Sequence, residues 1–305
     1  MPESLFLINP HSAKVREKGF DKLAAEIYSI YRAAGASVEV RKIDFSVLAS
    51  WIEDAHYQGI KHVFAVGGDG TANAVGTHLV GKKHLRLGII PLGSGNGLAR
   101  NIGFSTHFRL AVQQSLSTQY IEVDIGKFGE HTFLNAAGLG LDADVVTRYQ
   151  HSKTRGIMAY AVEIFKSVFS YLPQDYEVEI AGKTEKMTNI WVLSLMNGTQ
   201  WGYDAISSPT SLITDGYFEL LTLKKSSFFV ILYDFILLFL RKVQLSPRVR
   251  TIRCQKVRIL QANPSPAHVD GEHISVGVEI VAEILPKALC LLLPKTLTKE
   301  KKENI

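Results

Sequence analysis

Apolar positions in the first part of the chain follow two alternating periods. Val38 and Val40 alternate with polar residues as in a strand, whereas Leu23 and Ile27 recur on one face of a helix. Strand-like and helix-like segments continue to alternate in this way up to about residue 126. This order predicts a parallel sheet covered by helices, with ligands bound at the carboxyl ends of the strands.

The pattern then changes to short strand-like runs separated by turn residues. These runs are Tyr176–Ile180, Ile190–Leu195 and Tyr217–Leu223. They predict an antiparallel, β-rich domain. We therefore predict an α/β domain with a parallel sheet at residues 1–126 and a β-rich second domain at residues 127–289. A last strand-like run, Ala288–Leu293, predicts that residues 290–305 return to the first domain.

Composition limits the classes of protein that the chain can belong to. Of its 305 residues, 46% are hydrophobic and 21% charged, which is typical of a folded protein with a substantial core. Cys254 and Cys290 are the only cysteines and have no metal-ligand spacing, which predicts a reducing, cytoplasmic compartment. The first residues lack a basic segment, so we predict no secretory signal. A net charge of +5 without a recognition motif does not indicate nucleic-acid binding.

A glycine turn directly follows the buried apolar run Val63–Val66. Its glycines are Gly67, Gly68 and Gly70. Glycines let the backbone come close to a ligand, and a helix predicted over Thr71–Val80 would direct its N-terminal amides to the same place. With Asp69 in the turn, this pattern predicts a site for nucleotide phosphates and Mg²⁺. The simpler alternative is a tight strand-to-helix turn without a ligand.

A second glycine-rich loop follows the next apolar run, Leu85–Ile90. It consists of Pro91-Leu92-Gly93-Ser94-Gly95-Asn96-Gly97. The alternating glycines again suit close approach of a phosphate, and Ser94 and Asn96 add short hydrogen-bonding side chains. The sequence therefore predicts a second phosphate loop beside the first.

The first loop, Gly67-Gly68-Asp69-Gly70-Thr71, resembles the signature of the diacylglycerol kinase catalytic domain family. That family also includes sphingosine kinases, bacterial soluble lipid kinases and, more distantly, NAD kinases. The second loop is similar to the family's G-T-G-N-D: Ser94 keeps the hydroxyl of the threonine, and Gly97 replaces the aspartate. The resemblance implies that the two loops bind ATP through Gly67, Gly68, Gly70, Thr71, Gly93, Ser94, Gly95 and Asn96.

Further segments match the same family in the same order. Asn9, in Asn9-Pro10-His11-Ser12-Ala13, resembles the family's N-P-x-S-G and would hold the nucleotide or the neighbouring glycine loop. Asp124 corresponds to an aspartate of a water-mediated magnesium network, and Asp215 to one near a structural Mg²⁺. The resemblance thus implies Asp69, Asp124 and Asp215 as metal ligands.

Two more segments resemble the family but also have simpler explanations. Asp270-Gly271-Glu272 resembles the family's D-G-E, which implies Asp270 as the general base with Glu272 orienting it, although Asp-Gly alone indicates a hairpin turn. Asn135 and Gly138 resemble the passage into the second domain. For these two residues, an ordinary glycine-rich turn between strands is the alternative.

One stretch bears on membranes. Residues 228–240 are nearly all apolar but too short to span a bilayer, which takes about 20 residues. Residues 241–258 follow with seven Lys or Arg and no acid. An apolar helix beside cations suits peripheral binding to anionic lipid. The alternative is a buried helix followed by an edge strand with a solvated basic face.

Together, the residues and the resemblance predict an ATP- and Mg²⁺-dependent lipid kinase that takes part in phospholipid metabolism. It would phosphorylate a hydroxyl of a diacylglycerol-like or sphingoid lipid at a membrane surface, with Asp69, Asp270 and Glu272 as catalytic residues. The resemblance also allows a homodimer. Two alternatives stay open: an NAD kinase-like enzyme with a soluble substrate, and a non-catalytic nucleotide-binding regulator.

Overall fold

The computed structural model describes residues 2–93, 96–152, 157–198, 200–202, 205–206, 211–227 and 245–296, with single positions 230, 233, 234, 237, 240 and 242. Two compact units make up the chain. The first is Met1–Val123 with Lys287–Ile305, and the second is Asp124–Pro286. The sequence predicts the boundaries between the two units after residues 126 and 289. Within the described residues, no helix is long and apolar enough to cross a membrane.

The elements of the first unit precede those of the second in the chain, except for the last strand. The first unit contains β1 (Ser4–Ile8), α1 (Ala13–Lys18), α2 (Phe20–Ala33), β2 (Val38–Lys42), α3 (Leu48–Tyr57), β3 (His62–Gly67), α4 (Asp69–Leu79), β4 (Arg86–Pro91), α5 (Gly97–Asn101), α6 (Phe108–Ser115) and the start of β5 (Thr118–Phe128). The second contains β6 (His131–Phe133), β7 (Ala136–Gly140), α7 (Leu141–His151), α8 (Ile157–Ser170), β8 (Gln174–Ile180), β9 (Lys183–Met196), β10 (Gln200–Gly202), β11 (Ala205–Ile206), β12 (Phe218–Lys224), β13 (Val249–Cys254), β14 (Lys256–Gln261), β15 (Ser265–Val269) and β16 (Glu272–Val276). Strand β17 (Glu279–Pro294) begins in the second unit and ends in the first.

The first unit has the predicted parallel sheet. Its strands lie in the order β2-β1-β3-β4-β17, and every neighbouring pair is parallel. Strands β1 and β3 are almost fully buried, because the helices between them place apolar side chains such as Leu23 and Ile27 against the sheet. The sequence therefore predicted this α/β architecture correctly.

The second unit has the predicted antiparallel sheet and two helices that the sequence analysis did not predict. Its strands lie in the order β16-β15-β7-β9-β8-β14-β17, and β12 pairs with β9 and β13. One face of the sheet carries a core that includes Ala137, Leu139 and Leu193. The opposite face, around Ala136 and Trp191, is covered by α7 and α8. Alternate residues of one strand thus serve different cores.

Both cysteines are buried free thiols. Burial raises the pKa of Cys254 to about 12, so this thiol stays protonated and unreactive at neutral pH. Burial also raises the pKa of Cys290.

Candidate active site

Three neighbouring parallel strands of the first unit end at the same edge of the sheet. Strand β1 ends at Ile8, β3 at Gly67 and β4 at Pro91, in the spatial order β1-β3-β4. Asn9 and the two glycine loops follow these ends directly, and the Asn9 N–H donates to the carbonyl of Val66 at 3.0 Å. Because the carboxyl ends of parallel strands form the usual ligand edge, the fold brings the three predicted nucleotide segments together.

Asn9 and Thr71 lock the first loop to strand β1. The Asn9 Nδ2 group donates to Thr71 Oγ1 at 2.8 Å, and Thr71 is 4% exposed. Asn9 Oδ1 in turn accepts the N–H of His11 at 2.9 Å. A Cβ at Gly67 would lie 2.3 Å from Thr71 Oγ1, so only glycine fits there. Asn9, Gly67 and Thr71 therefore form one packed group.

The two glycine loops touch backbone to backbone at Gly68 and Gly93. A Cβ on Gly93 would lie 2.3 Å from the Cα of Gly68, and a Cβ on Gly68 would lie 3.2 Å from the Cα of Gly93. The N–H groups of Leu92 and Gly93 both donate to the carbonyl of Gly67, at 2.7 and 3.1 Å. These glycines are thus required by loop-to-loop contact, whether or not a ligand is bound.

Asn96 closes the second loop. Its Oδ1 accepts the N–H of Gly93 at 2.9 Å and its Nδ2 donates to the carbonyl of Gly93 at 2.6 Å. Asn96 is 3% exposed and has a left-handed φ of 54°, a conformation that asparagine tolerates better than most residues. The predicted ligands Ser94 and Gly95 lie outside the described residues.

Asp69 occupies a different position from the one predicted. Helix α4 begins at Asp69 rather than at Thr71, with Gly68 as its N-cap residue, so Asp69 and Gly70 belong to the first helical turn. The Asp69 carboxylate accepts the N–H groups of Gly97 at 3.2 Å and Leu98 at 3.3 Å. These amides start helix α5, so Asp69 ties the N-terminus of one helix to that of another.

The first turn of α4 can hold an anion. Its hydrogen bonds begin with the N–H of Ala72 donating to the carbonyl of Gly68 at 3.1 Å, and its N-cap residue, Gly68, has no side chain to cap it. The N–H groups before Ala72 therefore have no acceptor within the helix. Such N-terminal amides, with the helix dipole behind them, favour a phosphate.

Asp124 is almost fully buried at the start of the second unit. It is 1% exposed, and its Oδ2 accepts the N–H of Gly216 at 2.5 Å. Asn197 donates from Nδ2 to the carbonyls of Asp124 and Leu134, at 2.9 and 2.8 Å. Asp124 is therefore fixed by backbone contacts. It belongs to the same unit as Asp215, another of the three predicted metal ligands.

Asp215 is paired with an arginine. Arg253 Nη2 lies 2.9 Å from Asp215 Oδ2, and the guanidinium also lies over the ring of Tyr217, 4.1 Å from its centroid. The N–H of Tyr217 donates to Asp215 Oδ1 at 3.0 Å. The arginine already supplies the positive charge beside this carboxylate, so the surroundings of Asp215 do not fit the predicted metal ligand.

The described residues do not provide a metal site built from protein ligands alone. Within these residues, no three His, Cys, Asp or Glu side chains come together in a way that could hold an ion. Mg²⁺, however, is commonly bound through one or two carboxylates plus phosphates and water. Asp69, beside the glycine loops of the first unit, fits an ion that arrives with a nucleotide, whereas Asp215 does not.

Asp270 forms the predicted hairpin turn and also ties it to another loop. Val269 pairs with Glu272, so Asp270 and Gly271 are the two turn residues, with φ of 47° and 81°. The Asp270 carboxylate accepts three backbone N–H groups: Leu134 at 2.7 Å, Asn135 at 2.8 Å and Ala136 at 2.9 Å. Since a carboxylate offers about four lone-pair sites, most of its acceptor capacity serves the backbone.

Glu272 contacts helix α7. Its Oε2 accepts a hydrogen bond from Gln150 Nε2 at 3.0 Å. One residue later, His273 Nδ1 lies 2.9 Å from Thr147 Oγ1 of the same helix. Side chains of β16 therefore hold α7 beside the turn that contains Asp270.

A buried polar cluster that the sequence does not predict surrounds Gly138. Ser194, Gly138 and His268 lie directly opposite one another on β9, β7 and β15. Asp142 of α7 accepts a hydrogen bond from Ser194 Oγ through Oδ2, and His268 Nε2 lies 3.2 Å from the same oxygen. A Cβ on Gly138 would lie 2.3 Å from Asp142 Oδ2. The missing side chain of Gly138 is what lets this carboxylate reach both strands.

The alternative in which Gly138 belongs to a turn between strands is wrong. Gly138 lies inside strand β7, not in a turn between strands. His268 is 4% exposed and Ser194 fully buried, so α7 is anchored to the sheet by groups that apolar patterning cannot reveal. The only sequence signal was a glycine within a strand-like run, which indicates a close approach of other groups.

Two domain families match the chain over nearly its whole length. The diacylglycerol kinase catalytic domain matches residues 3–128, and the YegS C-terminal NAD kinase beta sandwich-like domain matches residues 135–293. The fold and these domains define the class: the protein is a kinase. Because the second match covers more than half of the chain, the protein belongs to the YegS family of diacylglycerol kinase-like proteins, within the NAD kinase-like superfamily.

Individual relatives agree with this family. The chain is 27% identical over 301 residues to the "Probable lipid kinase YegS-like" of Enterobacter sp. (strain 638), covering 96% of each chain. It is 28% identical over 247 residues to the protein of the same name from Chromohalobacter salexigens, covering 79% of each. A solved diacylglycerol kinase structure from Bacillus anthracis shares the fold, with a TM-score of 0.70, 13% identity and coverage of 97% and 98%.

Proposed function

We propose that the protein is an ATP- and Mg²⁺-dependent kinase that phosphorylates a hydroxyl of a diacylglycerol-like or sphingoid lipid. The observation that carries the proposal is the match to relatives named as lipid kinases along 96% of both chains. The catalytic domain and the C-terminal domain occur together, in the family's order. The lipid would be met at a membrane surface, and the protein would work in the cytoplasm.

The nucleotide would lie at the strand ends of the first unit. Gly67, Gly68 and Gly70 carry no Cβ at the start of α4, whose first-turn amides favour phosphate. Asn9, Thr71 and Asn96 would keep the loops in place through the hydrogen bonds described above. Phosphoryl transfer depends mostly on such positioning and on neutralisation of charge.

Asp69 would hold Mg²⁺ with the help of phosphates and water, and the metal role of Asp124 is proposed from the family resemblance alone. The ion would neutralise negative charge on the phosphoryl group that is transferred. Asp69 is already oriented by the amides of Gly97 and Leu98, and Asp124 by that of Gly216. Gly97 donates its backbone N–H to Asp69 and, unlike the aspartate of the family pattern, has no carboxylate to offer the ion.

Asp270 would accept the proton of the lipid hydroxyl, with Glu272 keeping the hairpin against α7. Asp270→Asn removes the proton acceptor, so kcat should fall roughly 10²–10⁴-fold. It also places an NH₂ group against backbone N–H groups, which should cost about 2 kcal/mol of stability. Turnover is therefore compared well below the melting temperature of the variant. Wild-type kcat in the folded variant would remove Asp270 from the chemistry.

One assay tests the proposed function against both alternatives. The protein is incubated with labelled ATP and Mg²⁺ and, separately, with diacylglycerol, a sphingoid base, ceramide, phosphatidylglycerol and NAD. We expect label on one lipid and no label when Mg²⁺ is chelated. Label on NAD alone would show a kinase of a soluble substrate. ATP binding without transfer to any acceptor would show a nucleotide-binding regulator.

A further inference from the structure

Helix α8 carries a stripe of exposed apolar side chains along one face. The stripe consists of Met158, Val162, Phe165 and Phe169, followed by Leu172 just beyond the helix. Their spacing of three and four residues places them on one line. They are 75%, 48%, 61%, 58% and 70% exposed. A continuous exposed stripe of this kind marks an interaction surface.

The opposite face of α8 explains why the stripe faces outward. Tyr160, Ile164 and Val168 pack on the core around Trp191. The helix is therefore fixed to the second unit by one apolar face and displays another. Phe165 and Phe169 contact each other with ring centroids 4.8 Å apart, so the two rings form a single apolar ridge.

Charges around the stripe favour an anionic partner. The one acid among the described residues of α8, Glu163, is 7% exposed and paired with Lys166 at 2.9 Å. Lys166 itself is exposed. Two other cations contact the end of the helix: Arg148 Nη2 donates to Ser170 Oγ at 3.0 Å, and Lys225 Nζ donates to the carbonyl of Tyr171 at 3.2 Å. Arg148 also pairs with Asp144 at 2.7 Å, so the three cations around the stripe stand against two acids, Asp144 and Glu163.

The sequence also predicts membrane contact for the basic run of residues 241–258 and the apolar segment before it. Its apolar neighbour, residues 228–240, and Arg241 lie largely or wholly outside the described residues. In the described part, Arg248 pairs with buried Asp234, Arg250 with Glu185, and Arg258 with Glu179 and Glu279. Strand β14 lies between β8 and β17, so it is not the edge strand of the alternative interpretation. These three arginines pair with carboxylates of the same unit, as Lys166 and Arg148 do beside the stripe, so the apolar stripe is what distinguishes α8.

We propose that the α8 stripe is the surface by which the protein docks on an anionic lipid bilayer. The apolar ridge would enter the acyl boundary, and the flanking cations would meet the headgroups. The proposal rests on the proposed function only for the identity of the partner, since a kinase with a lipid acceptor works at a bilayer surface.

Vesicle binding without nucleotide tests the proposal separately from catalysis. The probe is co-sedimentation with vesicles of phosphatidylcholine and phosphatidylglycerol. We expect Phe165→Ser with Phe169→Ser to weaken binding about tenfold or more, because two inserted rings are lost. Lys166→Glu should weaken binding less, and only at low salt. The matched control, Tyr57→Ser with Leu110→Ser, removes two exposed apolar side chains from the first unit and should change nothing.

The outcomes separate the docking proposal from the proposed function. Lost vesicle binding, with phosphorylation of a short-chain soluble lipid unchanged, supports docking by α8. Vesicle binding through α8 without transfer to any lipid leaves docking standing and contradicts the proposed function. Unchanged binding in the double variant overturns docking by α8. So does a dimer that the same variant converts to monomer in light scattering, since the stripe would then be a subunit interface.

Discussion

The glycines of the two units solve opposite packing problems. In the first unit, Gly68 and Gly93 lack side chains so that two backbones can touch. In the second unit, Gly138 lacks one so that the side chains of Asp142, Ser194 and His268 can meet above the sheet. The contact between Gly68 and Gly93 joins two uncharged backbones at the ends of the parallel strands. The cluster at Gly138 joins the carboxylate of Asp142 to the middle of the antiparallel sheet. The same residue type therefore serves loop shape in one unit and a polar anchor in the other.

The largest stability effect should come from Gly138→Ala. The new Cβ would lie 2.3 Å from Asp142 Oδ2, 2.8 Å from His268 Nε2 and 2.9 Å from Ser194 Oγ. Inside a sheet the backbone cannot move away, so the variant should lose about 3 kcal/mol of unfolding free energy. Urea denaturation measures this loss.

Gly277→Ala is the matched control for Gly138→Ala. Gly277 follows strand β16 in the same unit, and a Cβ there would meet nothing within 4 Å. This control should keep or slightly raise the stability. If Gly138→Ala is as stable as Gly277→Ala, then Asp142 does not depend on the space at Gly138.

Gly93→Ala should have the next largest effect, and it should affect nucleotide binding more than stability. Its Cβ would collide with the backbone of Gly68, but a loop can shift where a strand cannot, so we expect a loss of about 1–2 kcal/mol. The shift would move the loop away from α4, and calorimetry should show ATP affinity reduced by about tenfold or more.

Gly68→Ala tests the same contact between the two loops with a smaller steric clash. Its Cβ would lie 3.2 Å from the Cα of Gly93, so the loops need to move only slightly. Gly68→Val, with a larger branched side chain, should remove ATP binding while the fold is kept. Equal ATP affinity in Gly93→Ala and the wild type would show that the contact between the loops does not shape the nucleotide site.

The sequence predicted the first unit better than the second for a physical reason. Strands such as Val63–Val66 are buried on both faces, so their apolar runs stand out, and glycines after such runs mark loops. The predictions failed by two residues at the start of α4, because Asp69 looks like a turn residue but caps α5 through its side chain. Long-range caps of this kind leave no local pattern.

The polar cluster of the second unit could not be predicted from spacing. Asp142 and His268 are 126 residues apart and meet only because β15 pairs with β7. Helices α7 and α8 were also missed, and the inward face of α8 includes buried polar residues such as Ser167. Asp270 shows the intermediate case: its turn was predicted from Asp-Gly, but the three amides that it binds were not.

The last comparison is between single hydrogen bonds of the two regions. Thr71→Val removes the hydroxyl that accepts from Asn9 in the first unit, and Ser194→Ala removes the hydroxyl that donates to Asp142 in the second. Hydrogen bonds between neutral groups contribute about 1 kcal/mol, whereas those to charged groups contribute about 1.5–3 kcal/mol. Ser194→Ala should therefore cost about twice as much stability as Thr71→Val. Pairing each with Asn9→Ala or Asp142→Asn in double-mutant cycles isolates the bonds themselves. Equal coupling energies in the two cycles would show that the carboxylate of Asp142 anchors α7 no more strongly than the neutral pair holds the first loop.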